Sequence, residues 1–133
     1  MIPPFNESGY LPPGVHAATI AEIAARFGGS SELRRAQMDS VRWMIDLAVR
    51  AGVQRIVLNG SFVTDIIEPN DVDCVLLIGP GSPKDESAEI ELLEGLPFVD
   101  VSLVGQADFD YFVNRFFAFD RGLEAKGLIE VVL

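Results

Sequence analysis

The chain has 133 residues, the length of one domain spanning 1–133 with room for a real core. Twenty acidic against ten basic side chains give a net charge of -10, which argues against non-specific nucleic-acid binding, because phosphate backbones want a basic footprint. No apolar run approaches the roughly 20 residues that span a bilayer, and MIPPFNESGY has neither the basic nor the apolar region of a signal peptide. Cys74 is the one cysteine, so no internal disulfide can form, and a cytoplasmic location is expected.

In chain order, residues 1–18 are rich in Pro and Gly and are expected to run extended over the surface. Thr19 and Glu22 form a capping box for a short helix that ends near Gly28, with Ile20, Ile23, Ala24 and Phe27 as its apolar stripe. Ser31 caps a long helix over 32–51, and Gly52 ends it. Leu33, Met38, Val41, Ile45 and Ala48 are its inward candidates, Trp43 is read as core or interface, and Arg34, Arg35, Arg42 and Arg50 as a solvated face. A first strand is predicted over 53–58, and 61–66 reads as either a short helix or a loop. A second strand over 72–78 is so continuously apolar that it should be covered on both faces. The run 79–83 is a turn-rich loop and the candidate mobile segment. A short acidic helix over 86–93, a third strand over 98–104, an amphipathic helix over 107–120 and a last strand over 128–133 complete an α/β (α+β) alternation.

The chemistry concentrates in NGSFVTDIIEPNDVDCVLLIG. Residues i and i+2 of a strand share a face, so Asp71 and Asp73 should project together and Cys74 away from them, into the core. Two carboxylates on one face repel unless a cation lies between them, and magnesium or manganese is the hard cation that such oxygens suit. Gly60 lets the backbone approach a phosphate closely, and Ser61 offers a hydroxyl and an N–H. Asp100, flanked by apolar residues in PFVDVSLVG, is a third carboxylate in a strand. His16, in the Pro-rich segment, is read as a hydrogen-bonded structural histidine. Phe109, Phe112, Phe116 and Phe117 read as core, with a nucleobase-stacking surface as the other option.

Gly-Ser, a spacer of about ten residues, Asp-x-Asp and a later in-strand Asp resemble the DNA polymerase β-like nucleotidyltransferase superfamily, in its minimal single-domain bacterial branch. The likeness covers roughly residues 53 to 104. It implies a nucleotidyltransferase fold, a small mixed sheet with helices mainly on one face. It also implies that Gly60 and Ser61 hold a nucleotide triphosphate, and that Asp71, Asp73 and Asp100 bind two magnesium ions and carry catalysis. The implied reaction moves NMP, with AMP favoured, from ATP or another NTP to a hydroxyl acceptor, which is left open among a protein, an RNA and a small molecule. Members often carry an Arg soon after Gly-Ser and a Ser before Asp-x-Asp, where this chain has Phe62-Val63-Thr64 and Asn70. Arg115, Arg121 or Lys126 is the candidate to grip phosphate instead. Minimal members are often encoded beside a small helical HEPN-type toxin, so the alternative is an antitoxin-type or regulatory protein that neutralises such a partner. A homodimer would complete the cleft of a one-domain enzyme.

Overall fold

The computed structural model describes residues 1–81 and 83–133. It contains strands β1 (Gly14–Ala18), β2 (Arg55–Asn59), β3 (Val72–Leu77), β4 (Val99–Val104) and β5 (Gly127–Val131). Its helices are α1 (Ile20–Phe27), α2 (Glu32–Ala51), α3 (Glu86–Glu94) and α4 (Gln106–Tyr111). A 3-10 turn, Ser61–Val63, follows β2, and a π-helical turn, Phe112–Phe116, prolongs α4. The five strands form one mixed sheet in the order β1-β5-β2-β3-β4. β1 runs parallel to β5 and β3 parallel to β4, while β2 is antiparallel to both of its neighbours.

Local chemistry explains the helices. Thr19 and Glu22 close the expected capping box on α1. Ser31 accepts the Arg34 N–H to open α2, and Gly52, at φ 85°, ends it in the left-handed region where a side chain would be strained. Asp85 caps α3 by accepting the Ala88 N–H.

Alternation along the strands sorts the apolar side chains onto two faces. Ile56, Leu58, Cys74, Leu76 and Ile129 join the larger core beneath α1, α2 and α3. Val57, Val75, Leu77 and Leu128 form a smaller core with Phe109 of α4 and Val113. β3 is therefore covered on both faces, as its continuous apolar run predicts. Three helices lie over one face and the short α4 segment over the other. No helix among the described residues is long and apolar enough to cross a membrane.

Several expectations need correction. Residues 14–18 are not extended coil but the edge strand β1; its partner is the last strand of the chain, so no local pattern marks it. β2 starts at Arg55, because the Val53 N–H is still bonded to Ala48 O at the end of α2. The helix predicted over 107–120 stops at Phe116. Phe117 N–H donates to Phe112 O, an i→i+5 bond, and the rings of Phe112, Phe116 and Phe117 pack on one another there. Leu33 is half-buried, and Trp43 is 48 % exposed, which removes the core option for it and leaves the interface one. Arg34 is no solvated residue: it is 3 % exposed, and its guanidinium is spent on backbone carbonyls. The turn-rich run 79–83 includes Ser82, which lies outside the described residues.

Candidate functional site

The polar end of the smaller sheet face collects the candidate residues. Asp73 is the second residue of β3 and stands in register with Asp100 of β4 on one side and Asn59 of β2 on the other. The same parity that buries Val75 and Leu77 turns Asp73 toward the α4 face, where it is half-buried. Asp71 precedes the strand and is exposed, and Asp100 is exposed on the edge strand. The Asp73 carboxyl is pushed up to about 6, first by burial and then by the carboxylates of Asp100 and Asp71, with Lys126 pulling the other way. Burial holds Lys126 below the usual lysine range, against the pull of Asp73 and Asp120.

Gly60 closes against this group. Its φ of 90° and ψ of -171° belong to glycine, and a β-carbon there would lie 2.8 Å from Asp73 Oδ2. A side chain at position 60 would thus fill the space beside the carboxylate. Ser61 Oγ accepts the Asn70 N–H at 2.7 Å, tying the start of the 60–71 loop to its end. The 3-10 turn that Ser61 opens has three residues, too few for the helix N-terminus that an anion would favour.

Helix α2 holds this loop from behind. Arg34 donates to the carbonyls of Phe27, Phe62, Thr64 and Ile66 at 2.6–3.0 Å. Gln37 Nε2 donates to Pro69 O at 3.0 Å and Asn70 O at 2.7 Å. Six carbonyls, five of them on the loop, are thereby held by two buried side chains on one helix face. Sequence reasoning misses both residues; the only available signal is that positions 34 and 37 share the apolar stripe with Met38 and Val41.

Beyond Asp73 opens a cavity of about 480 Å³. Phe116, Phe117 and Phe119 form its apolar wall, and Asn59, Arg121 and Lys126 are among its polar lining. Asp120 also lines it, accepting the Tyr10 hydroxyl at 2.8 Å, a bond that lowers the Asp120 carboxyl. Two of the three candidate phosphate cations, Arg121 and Lys126, therefore meet at this cavity, while Arg115 is exposed on the π-helical turn and is not part of the lining. Of the Phe cluster, Phe109 is core, whereas Phe116 and Phe117 face the cavity. Cys74 is buried on the opposite face, and burial pushes its thiol far above the usual range. His16 is hydrogen-bonded to Pro12 O at 2.7 Å, at the β1 edge.

Among the described residues, no three His, Cys, Asp or Glu gather into a ready metal cluster. The donor set nonetheless fits a hard divalent cation in kind: the charges of Asp73, Asp100 and Asp71 oppose one another, and Gly60 keeps space beside Asp73 Oδ2. Magnesium is commonly held by one or two carboxylates and substrate phosphates rather than by an all-protein cage.

No curated protein and no solved structure matches the chain significantly. A family model does match, over residues 3–132, nearly the full length described above from β1 to β5. The chain therefore belongs to the family of unknown function DUF6932.

Proposed function

We propose that the chain is a metal-dependent nucleotidyltransferase, moving a nucleoside monophosphate from an NTP, with ATP as the favoured donor, to a hydroxyl acceptor. The observation that carries this reading is the Asp73–Asp100 pair, side by side on parallel strands, with Gly60 leaving space at Asp73 Oδ2. Asp71, Asp73 and Asp100 would hold magnesium or manganese. The bound cation would supply Lewis-acid neutralisation of charge on the reacting phosphate and the leaving pyrophosphate. Gly60 and the Ser61 N–H orient the β- and γ-phosphates. Lys126 and Arg121, at the same cavity, balance phosphate charge in place of the Arg that the loop lacks. Asp100 accepts the proton of the acceptor hydroxyl, whose oxygen bonds the α-phosphorus as the bond to pyrophosphate breaks.

The experiment is calorimetric titration of ATP and of GTP, with and without magnesium, into wild type and the Asp71→Asn/Asp73→Asn double variant. Magnesium-dependent binding by wild type that the variant loses is the expected result. Unchanged binding by the variant would overturn the site assignment.

A second reading, neutralisation of a helical HEPN-type partner by binding, draws on the surface of α3. Ile90 is 54 % exposed and Leu93 62 % exposed on a helix that carries Glu86, Glu89, Glu91 and Glu94. An apolar strip with acidic flanks suits a basic amphipathic partner. The two readings separate in the titration, since a protein that acts by binding alone shows no magnesium–nucleotide heat.

A further inference from the structure

Asn59 is the group at this site that the transfer reaction leaves unused. It ends β2, is 1 % exposed, and its Oδ1 is buried without a hydrogen-bond partner among the described residues. A buried acceptor left unpaired is costly, and an apolar residue of the same shape would avoid that cost. Its neighbour across the ladder, Asp73, makes no hydrogen bond to that oxygen. Asn59 lines the same cavity as Phe116, Phe117 and Phe119. Asp73 lies between Asn59 and Asp100, and the cavity takes Asn59 and Asp73 but not Asp100 into its lining, so it opens on the side of Asp73 away from Asp100.

Resting on the nucleotidyl-transfer reading, we propose that this cavity is the nucleoside subsite, and that Asn59 Oδ1 accepts a hydrogen bond from a ribose hydroxyl, making the protein selective against nucleotides that lack that hydroxyl. With the α-phosphate at Asp73, the first hydrogen-bond donors along the nucleotide are the sugar hydroxyls, beyond the C5′ and C4′ carbons that follow the phosphate ester. The base, further out, meets the Phe wall, where aromatic faces stack on any base. At about 480 Å³ the cavity has the size of a small-molecule cleft. A site built to bond a hydroxyl rejects the analogue that lacks it, because the protein acceptor is then left unpaired.

The test is calorimetric titration of Mg·ATP, Mg·2′-deoxyATP and Mg·3′-deoxyATP into wild type, Asn59→Leu and Asn59→Ser, with a thermal melt of each free protein. Wild type should bind ATP roughly tenfold or more tighter than at least one deoxy analogue. Asn59→Leu should bind ATP and that analogue alike, at the wild-type affinity for the analogue, while melting at a higher temperature than wild type. A purely structural Asn59 would give the opposite sign in the melt and leave sugar discrimination intact. Asn59→Ser keeps a polar group in less volume and reports the same loss of selectivity if the Leu variant fails to fold. Equal wild-type affinity for all three nucleotides overturns the sugar assignment and leaves the transfer reading standing. Discrimination that survives both substitutions overturns the role of Asn59. Failure of every nucleotide to bind overturns the transfer reading and this one with it.

Discussion

Asp73 carries a conflict that the rest of the site explains. Its carboxyl sits high, at about 6, because burial and the Asp100 and Asp71 charges all disfavour ionisation. An ordinary carboxyl titrates near 3.8, so the folded protein holds this proton more tightly than the unfolded chain does. Ionised Asp73 therefore lowers stability at and above pH 6, and the penalty fades as pH falls toward 4. Asp73→Asn in EDTA should raise the melting temperature at pH 7.5, and the gain should shrink progressively down to pH 4.5. A gain independent of pH would place its origin in something other than the ionised carboxyl. Added magnesium should favour wild type over the variant at pH 7.5, since a cation stabilises whichever protein binds it. Loss of function with gain of stability is the usual signature of a site kept under electrostatic strain.

At the scale of elements, α2 governs the loop between β2 and β3. Arg34 is a buried guanidinium whose donors go to four carbonyls; burial holds it below the usual arginine range, and Asp65 opposes that shift. Arg34→Leu strands those carbonyls and should cost roughly 3 kcal/mol or more, read as a lower urea midpoint. Arg34→Lys should recover little, because a point ammonium cannot reproduce a planar fork. Hydrogen exchange would locate the damage: opening confined to 61–71 is expected in Gln37→Leu, which frees only Pro69 O and Asn70 O. Uniform loss of protection in that variant would contradict a local role for Gln37.

At the scale of the molecule, the order of strands makes distant segments interdependent. β5, the last strand, lies inside the sheet between β1 and β2. Arg55 of β2 holds Glu130 of β5 through Nε at 2.8 Å and an Nη2 nitrogen at 2.6 Å, while its guanidinium lies over the Phe109 ring. Deleting residues 127–133 removes both the strand and the Leu128 side chain from the smaller core, and Lys126 loses its anchor beside Asp73. Such a truncation should show no cooperative thermal transition, in contrast to wild type. A sharp transition near the wild-type temperature would mean that the sheet tolerates the loss of the strand between β1 and β2, against this topology.

What the sequence determined by itself is local. The caps of α1 and α2, the Gly52 stop, the continuous apolar run of β3 and the alternation that faces Cys74 away from Asp73 all follow from neighbours within a few residues. The grouping of Gly60 with Asp73 was also legible, because one loop joins their two strands, whereas Asp100, which reaches Asp73 across α3, was grouped with them only by the family resemblance. Only the tertiary structure decided the rest. β1 exists because β5 pairs with it from more than a hundred residues away, and Arg34 is buried because a distant loop presents carbonyls to it. Lys126, Arg121, Phe116 and Asn59 share one cavity because β5 is inserted beside β2. Short-range hydrogen bonding and side-chain periodicity are written in sequence windows, whereas a site assembled from strands out of chain order depends on which edges find each other.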